Sequence, residues 1–120
     1  MNQNINELVR FVQEFCDQRD WDQFHNPKDL AIGLSTESNE LLDIFRFKNV
    51  EQMREMMVNT STREKVSDEL GDVFFFLLRF VQMYDFDLSE CLQQKIDKNE
   101  QKYPVDLSRG QNKKYSEYQD

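Results

Sequence analysis

Apolar residues recur every three or four positions along most of this chain, which is the spacing of one face of an α-helix. The first such segment covers residues 4–18, and the second covers 27–47. Asn26 and Pro27 suit the N-cap and the first helical position, so they predict where the second helix begins. Residues 49–58 are long enough for a short additional helix.

A third main helix is predicted over residues 63–84, after a polar break at 59–62. Ser61 and Glu64 have the spacing of a capping box at its start. Residues 73–78 are apolar on nearly every side, and such a helix needs burial on every face. In a chain of this size, that predicts packing inside a bundle and against another subunit.

A fourth helix is predicted from about Asp87, which suits the cap position, to about residue 102, before Pro104. Residues 106–120 form a polar tail that is either disordered or folded over a neighbour, and composition alone favours disorder. The predicted fold is therefore all-α: one domain over residues 1–105, built as a four-helix bundle with a short extra helix.

Composition supports one helical domain, because 120 residues allow a single core, and three Gly and two Pro are few. The net charge of −8 argues against a nucleic-acid polymer or an anionic membrane as partner. No apolar run is long enough to span a bilayer. Cys16 and Cys91 match no metal or redox spacing, so we expect two reduced core residues. These features and the polar N-terminus predict a cytoplasmic protein.

The chemistry is concentrated in two pairs of carboxylates, Glu37 with Glu40 and Glu69 with Asp72. A spacing of three residues places both members of a pair on one helical face. Each pair lies among apolar residues, where like charges are costly unless a cation lies between them. Facing pairs would form a site for Mg²⁺, or for Mn²⁺ as a substitute. The alternative is that each pair is a solvated helical face.

Other metals fit less well, because a di-iron bundle needs two Glu-x-x-His motifs and His25 is the only histidine. Mg²⁺ held by carboxylates commonly also binds the phosphates of a substrate. Taken alone, Trp21 fits a core or interface aromatic residue, and His25 fits a surface turn.

Several motifs together resemble the all-α nucleoside triphosphate pyrophosphohydrolases, the MazG-like superfamily. The acidic pairs are separated as in that family, and residues 19–27 (RDWDQFHNP) are similar to its dCTP pyrophosphatase branch. Residues 69–73, 95–105 and 107–110 also match that branch. The resemblance covers about residues 5–115.

The resemblance implies a Mg²⁺-dependent enzyme that cleaves a (deoxy)nucleoside triphosphate between the α and β phosphates. It also implies a homotetramer, a dimer of dimers whose active site uses more than one chain. The implied metal ligands are Glu37, Glu40, Glu69 and Asp72. Our own hypothesis is that Glu37 or Glu40 acts as the general base. The implied substrate contacts are Trp21, Asp22, Gln23, Phe24, His25, Phe47, Phe76, Lys95, Asn99 and Tyr103.

Two departures from the family pattern bear on the choice of base. Phe47 and Phe76 stand where the branch carries Trp and Tyr, so the stacking face is kept but an N–H or O–H donor is lost. A site that lacks these donors should discriminate less between bases. The resemblance implies dCTP or a related pyrimidine deoxynucleotide as substrate, and these departures predict a weaker preference for cytosine. The alternatives are phosphoribosyl-ATP or dUTP hydrolysis, or a non-catalytic helical oligomerisation or metal-binding module.

Overall fold

The computed structural model describes residues 3–118 and contains no strand in that range. Two short 3₁₀ helices cover Asp22–Phe24 and Tyr115–Tyr118. The six α-helices are α1 (Ile5–Gln18), α2 (Pro27–Phe45), α3 (Val50–Met56), α4 (Thr60–Tyr84), α5 (Leu88–Lys102) and α6 (Val105–Ser108). The all-α class is therefore confirmed. No helix among these residues is long and apolar enough to cross a membrane.

Short polar side chains start five of the helices by accepting a hydrogen bond from a backbone N–H in the first turn. The residues are Asn4, Asn26, Asn49, Asn59 and Asp87. Each cap satisfies a donor that the helix itself leaves open, and each stabilises its helix by about 1 kcal/mol. The predicted caps at Asn26 and Asp87 are confirmed.

The capping box predicted at Ser61 and Glu64 is wrong, because α4 begins earlier, at Thr60. Asn59 accepts from the Thr62 backbone N–H at 3.0 Å, so the polar break itself supplies the cap. The residue pair that forms a capping box is Asn49 and Gln52 at the start of α3.

The first of two compact units extends to Asp85, and within it α4 packs against both α1 and α2. Its buried side chains are Val12, Cys16, Leu30, Val66, Leu78, Arg79 and Val81. Full burial of a leucine such as Leu30 stabilises the fold by roughly 2–3 kcal/mol. The four-helix bundle stays a prediction.

The two cysteines are free but differ in environment. Cys16 on α1 is fully buried, and this burial raises the pKa of its thiol. Cys91 on α5 is exposed, so the prediction that both are core residues is wrong for Cys91. No residue of α5 is buried, in agreement with the exposure of Cys91.

The second compact unit starts at Phe86 and contains α5, α6 and the second 3₁₀ helix. Tyr103 contacts Tyr115 and Tyr118 edge to face, with ring centroids 6.3 and 6.2 Å apart. The Lys102 ammonium lies 4.8 Å from the centre of the Tyr115 ring. Within residues 106–118, the tail thus contacts the end of α5 through its tyrosines, which its polar composition did not predict.

Candidate metal and nucleotide site

The α2 and α4 helices run antiparallel. The four predicted metal ligands lie along the line where these two helices pack together, which we call the α2–α4 seam. Gly33 on α2 meets Phe76 on α4, whereas the later residues Glu37 and Glu40 meet the earlier Glu69 and Asp72. Sequence numbers thus rise along one helix as they fall along the other. The residues of each helix recur at intervals of three or four, which keeps them on one face.

The four motif carboxylates meet across this seam. One carboxylate oxygen from each of Glu37, Glu40, Glu69 and Asp72 lies within 4.8 Å of those of the other three. Glu37 and Glu69 are half-buried, whereas Glu40 and Asp72 are exposed. The cluster therefore has a covered side and a side open to a ligand from solvent.

Two oxygens on the covered side have no hydrogen-bond partner within residues 3–118, Oε2 of Glu37 and Oε2 of Glu69. A hydrogen bond with Glu40, burial, and the neighbouring negative charges raise the pKa of Glu37 to about 7. Burial, followed by interaction with Glu40, also raises the pKa of Glu69. Without a cation, protonation of these two carboxyl groups therefore lowers the negative charge of the cluster.

The donor set fits a hard divalent cation. Mg²⁺ binds oxygen ligands at about 2.0–2.1 Å, so two ligands of one ion lie at most about 4.2 Å apart. Carboxylate oxygens within 4.8 Å of one another reach that geometry by small side-chain rotations. The unpartnered oxygens of Glu37 and Glu69 are the atoms that a cation would satisfy.

Phe76 lies one helical turn beyond Asp72, and its ring rests on the α2 backbone at Gly33. A Cβ added at Gly33 would lie 2.6 Å from Cζ of Phe76, closer than side chains approach. Glycine is therefore the residue that lets this ring pack beside the carboxylates. The Phe75 ring supports Phe76 edge to face at 5.5 Å.

We expect Gly33→Ala to raise the KM for nucleotide by about tenfold, a change of roughly 1.4 kcal/mol, because the Phe76 ring must leave its place. The better helix propensity of alanine offsets part of the free-energy cost of the clash with Phe76, so the melting temperature should change little. Steady-state kinetics and thermal melts measure both effects.

Ser35→Ala on the same helix is the control, since Ser35 is exposed and lies outside the carboxylate cluster. It should raise the melting temperature through helix propensity and leave KM unchanged. Equal KM values for the two alanine variants would exclude a role for the Gly33 contact.

The segment before α2 is tied to α4 by Arg79. This side chain is fully buried, donates from Nε to Nδ1 of His25 at 2.8 Å, and forms an ion pair with Asp22. Aromatic contacts add a second connection, since Trp21 packs edge to face against Phe15 at 5.4 Å. The structure thus places Trp21, Asp22 and His25 in one supported cluster.

Arg79 was missed by the sequence reasoning, although a signal was available. It is the one charged residue between positions 73 and 81, a stretch that is otherwise apolar. A cation on a buried helix needs several polar partners, and two of the three, His25 and Asp22, lie 54 and 57 residues earlier in the chain.

The remaining predicted contacts have other surroundings. Gln23 donates to the backbone and the carboxylate of Asp20 at 3.0 Å, and Phe24 is 63% exposed. Phe47 is 89% exposed in a left-handed backbone conformation with φ of 67°, and its ring contacts Arg46. The other residues with predicted roles, Lys95 and Asn99 on α5 and Tyr103 directly after it, belong to the second compact unit.

Comparison with known proteins decides the family. The model of the MazG-like family matches residues 32–118, which include all four clustered carboxylates. This chain belongs to the MazG-like family. The family indicated by the sequence motifs is thereby confirmed.

Named relatives and a solved structure agree with this assignment. The MazG-like chain is 34% identical over 113 residues to dCTP pyrophosphatase 1 of Rattus norvegicus and of Mus musculus. The Homo sapiens protein of that name is 31% identical over the same length. Each alignment covers 94% of this chain, which spans 66% of the length of these relatives.

The fold agrees as well. A pyrophosphatase from Archaeoglobus fulgidus superposes with a TM-score of 0.76 at 34% identity. The match covers 87% of this chain and 95% of the archaeal one.

Proposed function

We propose that this chain is a Mg²⁺-dependent nucleoside triphosphate pyrophosphohydrolase. Its substrate would be dCTP or a related pyrimidine deoxynucleotide, cleaved between the α and β phosphates to a monophosphate and pyrophosphate. Such an enzyme would remove unwanted nucleotides from the cellular pool. The names of the relatives, dCTP pyrophosphatase 1 and pyrophosphatase, support this reaction class.

The observation that carries the proposal is the four-carboxylate cluster with its two unpartnered oxygens. A solvated acidic face would leave these oxygens hydrated, whereas Oε2 of Glu37 and of Glu69 are removed from water. Burying acceptors without donors is costly, and the cost is offset when a cation occupies the cluster.

The residues would divide the work as follows. Glu37, Glu40, Glu69 and Asp72 would hold Mg²⁺, which when bound neutralises charge on the phosphates and makes water a better nucleophile. Glu37 or Glu40 would accept the proton of the water that attacks the α phosphorus. The bond from that phosphorus to the bridging oxygen breaks as the new bond forms, and pyrophosphate leaves.

The nucleoside would lie along the same seam, next to the carboxylates. Phe76 offers a ring fixed on Gly33, and Trp21 and His25 are held together through α1 and α4. Phe47, Lys95, Asn99 and Tyr103 stay proposed contacts on the strength of the family resemblance.

A homotetramer, arranged as a dimer of dimers, belongs to the same proposal. It is supported by a shallow apolar hollow of about 410 Å³ on α4, lined by residues 70, 71, 73, 74 and 77. Leu70 is 53% exposed there, which is unusual for a helix centre so rich in apolar residues.

We expect the purified protein to release pyrophosphate and a nucleoside monophosphate from at least one pyrimidine deoxynucleoside triphosphate. A panel of NTPs and dNTPs would be incubated with Mg²⁺ or with EDTA, and pyrophosphate and orthophosphate would be measured separately. Chelation should abolish release, because the carboxylates alone repel the phosphates.

Other outcomes separate the alternatives. Orthophosphate release would place cleavage at a different anhydride bond and contradict the proposal. A folded protein that releases nothing from any nucleotide would favour a non-catalytic helical module. Preference for dUTP or phosphoribosyl-ATP would keep the family and change the substrate.

A further inference from the structure

A buried arginine on α4 makes hydrogen bonds that the metal site does not require. Arg79 is 0% exposed, and its three nitrogens donate to three different acceptors: Nε to His25, and the terminal nitrogens to Gln82 and Asp22. Two of these acceptors lie in the turn before α2, more than 50 residues away in sequence. The side chain thus fixes the turn by polar contacts in addition to apolar packing.

The hydrogen bond to His25 determines which ring nitrogen carries the proton. An arginine donates only and stays charged at all accessible pH values, so Nδ1 of His25 must be an acceptor. A neutral imidazole with an unprotonated Nδ1 carries its proton on Nε2. Within residues 3–118, Nε2 has no hydrogen-bond partner, and the side chain is only half-buried.

Neighbouring charges favour the same neutral form. Burial and the Arg79 cation lower the pKa of His25, whereas the Asp22 carboxylate acts in the opposite direction. Cys16 on α1 also lies within the electrostatic range of Arg79 and Asp22, and its thiol is neutral because burial raises its pKa. His25 therefore stays an N–H donor without a charge at neutral pH.

The position of Arg79 links this donor to the metal site. Asp72, Phe76 and Arg79 recur at intervals of four and three on α4, which places them along one face. Seven residues of helix correspond to about 10 Å along the axis. His25 thus lies at one end of the α2–α4 seam, and the carboxylates lie further along it.

We propose that Arg79 is a positioning residue that holds His25 as the neutral Nε2–H tautomer, so that this N–H binds an acceptor oxygen of the nucleotide. The inference rests on the proposed function for the identity of the ligand. It adds a residue that acts through His25 without touching the substrate. The acceptor oxygen belongs either to a phosphate or to the carbonyl of the base.

The test uses the single histidine of the chain, whose ring ¹⁵N NMR signals need no assignment to a residue and are assigned to Nδ1 and Nε2 by their couplings to the ring protons. Spectra of the nucleotide-free protein should show one neutral tautomer protonated at Nε2. Arg79→Met keeps an unbranched apolar stem but removes the donors and the charge. In this variant we expect a mixture of tautomers and a higher pKa for His25.

Asp22→Asn provides the opposite change and keeps a side-chain oxygen that accepts from Arg79, and far-ultraviolet circular dichroism checks that the helices still form. It removes the carboxylate that raises the pKa of His25 and leaves Arg79 in place. The His25 pKa should therefore fall in Asp22→Asn and rise in Arg79→Met. Shifts in the same direction, or a wild-type protein protonated at Nδ1, would overturn the proposal.

Steady-state kinetics test whether Arg79 acts on nucleotide binding through His25. Loss of one neutral hydrogen bond in both the ground and transition states should raise KM by about five- to tenfold in Arg79→Met, with little change in kcat. In a His25→Phe background, Arg79→Met should raise KM no further. Additive effects in the double variant would show that Arg79 acts independently of His25, and would contradict the proposal.

The ligand oxygen is identified by adding inorganic pyrophosphate or a deoxynucleoside to the labelled protein with Mg²⁺. A change of the Nε2 signal with pyrophosphate indicates a phosphate oxygen, and a change with the deoxynucleoside indicates the base. No change with these or with any nucleotide would refute the contact. Pyrophosphate release tests the reaction separately from the nucleotide-free spectra, so the two failures are distinguishable.

Discussion

Glu40→Gln should lower kcat by at least about 10³-fold, which corresponds to a loss of ~4 kcal/mol in stabilisation of the transition state. The side chain keeps its size, but one of the four clustered carboxylates becomes neutral. Because Glu40 is exposed, the helices should form as in the wild type. Pyrophosphate release measures the loss, and far-ultraviolet circular dichroism checks the fold.

Glu64→Gln on α4 is the control for the Glu40 variant, because it makes the same chemical change at an exposed position outside the cluster. Its activity should equal that of the wild type. The stabilisation of the protein by added Mg²⁺ should be reduced in Glu40→Gln and retained in Glu64→Gln. Full activity in Glu40→Gln would show that Glu40 is neither a required metal ligand nor the general base.

The second large effect concerns stability without a divalent cation. The pKa of Glu37 is raised from 4.5 to about 7, so the folded state binds a proton more tightly than the unfolded state. The stabilising contribution of that proton is fully present below the unfolded pKa and is lost as the pH rises through about 7. In EDTA, the melting temperature should therefore be higher at pH ~5.5 than at pH ~8.

Mg²⁺ should reverse this dependence, because it replaces the proton as the partner of the carboxylates. The rise in melting temperature on adding Mg²⁺ should be large at pH ~8 and small at pH ~5.5, where protons compete for the same oxygens. Differential scanning calorimetry across this range measures both trends.

Glu37→Gln separates the cluster from other titrating groups. Removing one negative charge relieves repulsion, so the metal-free variant should be more stable than the wild type at pH ~8 and less dependent on pH between ~5.5 and ~8. It should also lose most of its response to Mg²⁺. A metal-free wild type that becomes more stable as the pH rises would contradict this account of Glu37.

The helices could be predicted from the sequence because their signals are local. Asn26 with Pro27 gave the start of α2, and Asp87 gave the start of α5, since a cap needs only residues within one turn. The error at Ser61 arose because several polar residues in a row compete for one cap position. Asn59 supplies that cap, and α4 gains its first turn from the polar segment.

Part of the candidate site could also be predicted from the sequence, because its signals are local too. A spacing of three residues places Glu37 and Glu40 on one face whatever the tertiary structure, and apolar neighbours make their charge conspicuous. The importance of Gly33 could not be read, because its role is to leave space for the ring of Phe76, which lies 43 positions later in the chain.

The sequence by itself determined the helical class, the family and the residue types of a divalent-cation site, because periodicity, caps and motif spacing are properties of neighbouring residues. Only the tertiary structure decided which groups meet. It brought the two acidic pairs within 4.8 Å, placed Phe76 on Gly33, and buried Arg79 against His25 and Asp22. These contacts join residues far apart in the chain, and their existence depends on the antiparallel packing of α2 and α4, which spacing along one helix does not specify.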